Sequence, residues 1–221
     1  DHTTVTLNTI VTPASVNSSN STYNYTISGT GALTATNQGG IYQMLLRSYS
    51  TATMNIAVPV TNNGANAVSL VKIGSGVMTL GGANRYTGGT TVSEGTLEIG
   101  GGGMLEGGSY TSSVSIAGGA TFLYSSAANQ AISGIVSGAG NLVKGGSSIL
   151  TLSAINTFTN NAIINGGTLK LSGPPAAPVA GALYRLNAVD ATNVFLGTGT
   201  GVSAWNDTTG NARNFTQGTA G

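Results

Sequence analysis

The sequence predicts an all-β protein, and within that class a β-solenoid, from three observations. First, the chain repeats itself: Gly74–Gly100, GSGVMTLGGANRYTGGTTVSEGTLEIG, returns over Gly145–Leu171 as GGSSILTLSAINTFTNNAIINGGTLKL. Lys72, Thr79, Leu80, Asn84, Tyr86, Thr87 and the run Gly95-Thr96-Leu97 meet Lys144, Thr151, Leu152, Asn156, Phe158, Thr159 and Gly167-Thr168-Leu169, always at the offset that separates Lys72 from Lys144. Second, apolar residues fall in short alternating runs such as Val5-Thr6-Leu7 and Tyr23–Ile27, the period of a strand with one buried face. Third, the 35 glycines gather in Gly-Gly and Asn-Gly pairs between those runs, where turns need positive φ.

A sandwich would satisfy the last two observations. A gap-free internal repeat favours a solenoid, in which each coil stacks on its neighbour. An offset of 72 divides into three coils of about 24 residues. About 170 residues then make roughly seven coils, some 35 Å long at the ~4.8 Å spacing of paired strands. Val, Ile and Leu face inward in this arrangement, and Thr and Asn line up in ladders. Charged residues are 6% of the chain, against about 25% in ordinary domains. That suits stacking, because like charges placed coil upon coil repel and neutral Thr, Ser and Asn do not.

Composition also excludes functions. With seven Lys or Arg, six Asp or Glu and a net charge of +1, the chain has no basic stripe for nucleic acid. No amphipathic or polybasic segment suggests a membrane surface, and no apolar run approaches the roughly 18 residues of a membrane span. Cysteine is absent, so disulfides and thiolate metal sites are ruled out. The chain opens on Asp1 without Met or a leader, as expected of a processed form or a fragment.

In order, residues 1–30 form N-terminal strands that cap the coils, interrupted at Pro13 and at the Ser/Asn cluster VNSSNST. The solenoid occupies 31–171. Gly29–Thr36 resembles Gly138–Lys144, which places the start of the repeat before its best copy. Ile41–Tyr49 has some helical spacing but is flanked by strand-like runs, and is read as a strand. Met54–Val60 matches Gln130–Val136 at an offset of 76, and the four extra positions are expected in the turn TNNGANA. Ser109–Ile116 and Ala120–Tyr124 read as two further strands. Residues 172–178, with three of the five prolines, read as a linker. Residues 179–221 carry the single Trp and no copy of the repeat, and read as a separate C-terminal β segment.

The phrase ANRYTGGTTVSEGTLEIG, preceded by GSGVMTLGG, resembles the autotransporter-associated β-strand repeat. Leu80, Asn84, Tyr86, Gly95 and Leu97 carry the match in the first copy, together with Thr87–Thr91 and Thr96. The second keeps Leu152, Asn156, Phe158, Gly167 and Leu169 but has Asn160-Asn161 where the family has Gly-Gly. The resemblance implies a right-handed parallel β-helix in the passenger region of a secreted or surface-exposed bacterial protein, without catalytic residues. The tail is similar, over Leu183–Asp190 and Val202–Asn214, to the opening of a concanavalin-like sandwich, either incomplete or acting as a strand-donating tail.

Other β-helices cleave polysaccharides, which needs two carboxylates about one bond or a calcium-binding acidic cluster. The carboxylates here are Asp1, Glu94, Glu98, Glu106, Asp190 and Asp207, and Gly95 turns the chain between Glu94 and Glu98. His2 is the only histidine and sits at the terminus, which leaves triad chemistry without a base. No glycine loop ends in the Gly-Lys-Ser/Thr of a phosphate cradle. No catalytic residue, cofactor or metal is therefore expected. Trp205 with Asp207 is the candidate carbohydrate contact, since an indole offers a flat apolar face to a sugar.

The resulting expectation is a non-enzymatic structural solenoid at the bacterial surface or outside the cell, serving as stalk, adhesin scaffold or filament subunit. Its expected partners are other copies of itself, through strand edges left open at the coil ends, and surface glycans. Carbohydrate binding through the tail is the alternative, and a polysaccharide-active enzyme the third reading.

Overall fold

In the computed structural model, residues 3–19, 22–49 and 51–173 are described in full, with the backbone of four short strands beyond them. The described residues wind as a parallel β-solenoid of eight coils, with up to three short strands per coil laid on three faces. Coil one is β1 (Thr4–Leu7), β2 (Ile10–Val11) and β3 (Ser15–Ser18). Coil two is β4 (Tyr25–Gly29), β5 (Ala32–Thr34), the hairpin strand β6 (Asn37–Gln38) and β7 (Ile41–Ser48). Coil three is β8 (Met54–Ile56), β9 (Val60–Thr61) and β10 (Ser69–Ile73). Coil four has β11 (Val77–Leu80) and β12 (Thr90–Val92), with Ala83–Arg85 bridging its second face. Coil five is β13 (Thr96–Ile99), β14 (Ser109–Tyr110) and β15 (Val114–Ile116). Coils six and seven are β16 (Thr121–Tyr124), β17 (Gln130–Ile132), β18 (Val136–Gly138), β19 (Asn141–Lys144), β20 (Ile149–Leu152) and β21 (Thr157–Phe158). Coil eight has β22 (Ala162–Ile164) and β23 (Thr168–Leu171). Beyond it, β24 (Tyr184–Leu186) and β25 (Phe195–Leu196) pair in parallel with β22 and β23, and β26 (Ala204–Trp205) pairs antiparallel with β27 (Phe215–Thr216). Residues 174–178 of the expected linker lie outside the described residues.

Strand alternation generates the core. On the first face, Met54, Met78, Leu97, Phe122, Leu142 and Ala162 stack in register as one inward row. Ile56, Leu80, Ile99, Tyr124, Lys144 and Ile164 form the second. Both rows are buried throughout. Outward neighbours such as Thr79, Glu98 and Leu123 remain partly accessible. At about 1.5–3 kcal/mol for each large apolar side chain buried, these rows supply the main driving force for winding. The rows run unbroken from coil to coil, so each coil depends on its neighbours to be dry.

Ile41–Ser48 is a strand, and the extra positions near Asn62–Asn66 form a tight turn in which the Asn63 and Asn66 backbones bond reciprocally. Two expectations are corrected. Ser109–Ile116 is not one strand but two, β14 and β15, on different faces. The offset of 72 is not three equal coils. From β10 to β19 the chain passes ten faces, so the offset spans three and one-third coils. Leu80 and Leu97 lie on the first face while Leu152 and Leu169 lie on the second. Each copy of the repeat is therefore turned one face about the axis relative to the other. Coils also vary in length. The turn from Thr26 to its first-face partner Asn55 includes the whole β6–β7 hairpin, whereas the turn from Thr79 to Glu98 carries no insertion and is shorter.

Candidate functional site

The residues that define the repeat converge on the corners of the coils. Asn84 is wholly buried, and its side chain joins three coils. Its Oδ1 accepts from the Val60 amide at 3.0 Å, and its Nδ2 donates to the carbonyls of Gly82 and Met104 at 2.8 and 3.1 Å. An amide suits this corner because it offers an acceptor and two donors in one plane. Asn156 repeats the pattern one face round, accepting from the Val136 amide at 2.8 Å and donating to the Ala154 carbonyl at 2.9 Å.

Tyr86 is wholly buried edge-on against Tyr110, with ring centroids 5.9 Å apart and planes at 70°. Tyr110 donates to the Gly88 carbonyl, and the Thr90 hydroxyl lies 2.8 Å from both phenols. Each hydroxyl has one proton, so the chain of donation runs from Tyr86 to Thr90 to Tyr110 to Gly88. Burial raises the pKa of both phenols, so they stay protonated. In the second copy Phe158 and Ala162 stand where Tyr86 and Thr90 stand in the first, so phenol and hydroxyl disappear together and no buried polar group is orphaned.

Gly95 and Gly167 have φ of 62° and 66°. A Cβ on Gly95 would lie 2.5 Å from the carbonyl oxygens of Gly74 and Gly76. These glycines therefore meet two demands at once, a left-handed backbone and close approach to the coil below. Leu80, Leu97, Leu152 and Leu169 are all buried in the core.

Glu94 and Glu98 are engaged in holding coils together. Glu94 Oε2 accepts from the Gly74 amide at 2.9 Å, while Glu98 accepts from the hydroxyls of Thr79 and Ser125. Among the described residues no three His, Asp or Glu side chains gather as a metal site. Tyr86, Tyr110 and Tyr124 are core residues, whereas Tyr23 and Tyr49 are 42% and 59% exposed. The side chain of Trp205 and the whole of Asp207 lie outside the described residues.

Two features were not legible as functional. Lys72 and Lys144 are wholly buried, although an isolated lysine in sequence normally signals a solvated one. Their one signal was their recurrence at the common offset. The first coil is the second feature. Among the described residues its strands pair with coil two alone, and Val5, Ile10 and Val11 are 48%, 66% and 38% exposed.

Comparison with known proteins agrees with the repeat. Residues 70–99 and 142–171 each match the passenger-associated-transport-repeat family. The chain is 32% identical over 229 residues to the adhesin BmaC autotransporter of Brucella suis biovar 1 (strain 1330). That alignment covers 88% of this chain but 6% of the relative. No solved structure matches. Among the described residues, no helix is long and apolar enough to cross a membrane.

Proposed function

This chain carries two autotransporter-associated repeats, and from them we propose that it is a non-enzymatic structural segment of a surface-exposed or secreted adhesin. One observation carries the reading: the buried inward rows are continuous from coil three to coil eight, and the repeat-defining asparagines of both copies are spent on joining coils. Such a body is a stiff spacer of about 35–40 Å at the spacing of paired strands. A stalk needs that stiffness, while a catalytic site would need ionisable groups left free.

The exposed edge of coil one extends the proposal. Among the described residues the outer edges of β1, β2 and β3 carry no strand, and with Val5, Ile10 and Val11 beside them they fit another parallel coil; end-on contact with a second copy would propagate into a fibre. A second reading assigns surface glycans to the tail, with Trp205 and Asp207 as the contact; Trp205 lies on a strand paired with Phe215.

Negative-stain electron microscopy and sedimentation over a wide concentration range test the stacking, with Val5→Asp/Ile10→Asp as the control. Rods that lengthen with concentration in the parent but not in the variant support it; short rods of one length at every concentration overturn it. A glycan array run on the same sample separates stalk from lectin. Binding that Trp205→Ala abolishes would replace the spacer reading by the glycan one.

A further inference from the structure

Lys72 and Lys144 lie inside the solenoid, in the inward rows otherwise filled by Leu46 and Val92 and by Tyr124 and Ile164. A buried ammonium needs three acceptors, and each finds three backbone carbonyls. Lys72 Nζ donates to Ile73, Gly74 and Glu94 at 3.1, 2.6 and 3.2 Å. Lys144 Nζ donates to Gly145, and to Gly146 and Gly166 at 3.2 and 3.4 Å. The three acceptors of the second lysine are the repeat equivalents of the first lysine's three, displaced by the same offset as the lysines themselves.

This equivalence holds although the two lysines lie on different faces, Lys72 on the third and Lys144 on the first. The arrangement therefore belongs to the repeat and not to a place on the solenoid. Two acceptors lie on the lysine's own coil, in the two residues that follow the lysine at the end of its strand, and the third lies on the coil stacked above it. The motif glycine follows that third acceptor directly. A Cβ on Gly167 would lie 2.8 Å from Lys144 Nζ and closer still to the Ser148 carbonyl oxygen. The glycine of Gly-Thr-Leu and the lysine one coil before it thus form one structure.

We propose that each repeat contains an internal amine site, in which the lysine Nζ acts as the hydrogen-bond donor that closes the corner between two successive coils. The surroundings differ in one respect. Glu94 faces Lys72 from the coil above, bonded to the Gly74 amide, whereas Gly166 takes that position beside Lys144 and the Tyr124 ring lies 5.8 Å from the ammonium. Desolvation lowers both lysines to a pKa of about 8, with Glu94 opposing the fall at Lys72. The clamp is therefore mostly charged at neutral pH.

Lys170, the third lysine of the chain, is exposed and provides an internal reference. An amine-reactive reagent applied to the folded protein, followed by mass spectrometry, should modify Lys170 at least about tenfold faster than Lys72 or Lys144. Equal rates at all three would overturn the proposal. Lys72→Met and Lys144→Met keep the apolar stem and remove the donors. Each should lower Tm by about 3–8 °C, since three partly buried carbonyls lose their donor. Hydrogen exchange should show that loss first at residues 73–76 and 94–96 in the one variant and at 145–148 and 166–168 in the other. A methionine variant as stable as the parent, or one whose faster exchange is spread evenly over all coils, would overturn the clamp and show that the stem alone holds the corner.

Discussion

At the scale of the residue, this fold is held by polar side chains that reach between coils. Asn84→Ala would leave the Val60 amide buried without its partner, while the Met104 carbonyl keeps the backbone amide of residue 84. That should cost about 1–3 kcal/mol, read as a lower midpoint in guanidinium unfolding. The lysines and tyrosines set a pH dependence whose sign can be worked out. Folded Lys72 and Lys144 titrate at about 8 and the unfolded chain at the usual 10.5, so above pH 8 the unfolded state binds more protons. Stability should rise as pH climbs from about 8 towards 10. The buried phenols of Tyr86, Tyr110 and Tyr124 act oppositely, since their folded pKa values lie above 10. Above pH 10 the unfolded chain gives up those protons and stability should fall. Urea midpoints at pH 7, 9.5 and 11.5 should therefore pass through a maximum at the middle value, and a steady decline from pH 7 would contradict the assignment.

At the scale of the element, the coil is the unit that can be added or removed, because each one pairs only with its neighbours. Coils six and seven are in register, with Thr121 opposite Asn141 and Tyr124 opposite Lys144. Deleting Thr121–Gly140 should let coil seven settle on coil five with every inward row intact. The shortened protein should still unfold cooperatively, with the denaturant slope reduced by about one-eighth. Removing only Thr121–Gln130 shifts every later strand to the wrong face and should abolish the transition. Turns tolerate more. The Asn62–Asn66 turn and the β6–β7 hairpin lengthen coils two and three without disturbing the rows they flank.

At the scale of the molecule, stability accumulates along one axis, because each coil pairs only with the coils beside it. Chemistry that a globular enzyme would gather in a cleft is here distributed along corners, one Asn or Lys at a time. That distribution explains why Glu94 and Glu98 are engaged and why a spacer role fits the body of the chain. It also directs any search for binding to the ends or the outer surface, where Ile135, Ile149 and Ile155 accompany the first coil as exposed apolar residues.

How much of this was readable from residues alone depends on whether the information is local. Alternation of Val77–Leu80 and Thr121–Tyr124, glycines at Gly95 and Gly167, and the matching copies point to the strands, the corners and the solenoid class, because each is set by neighbours along the chain. Face assignment was not local. An offset of 72 is compatible with three coils or with three and one-third, and only the pairing of β19 with β16 and β22 decides which. The same is true of the lysines. Nothing in the sequence around Lys144 distinguishes a solvated charge from a buried one; that is decided by the Gly166 carbonyl, which arrives on the next coil. That the chain coils follows from its local pattern of apolar residues and glycines. Which side chains meet across coils follows only from stacking, because those partners lie a full turn apart along the chain.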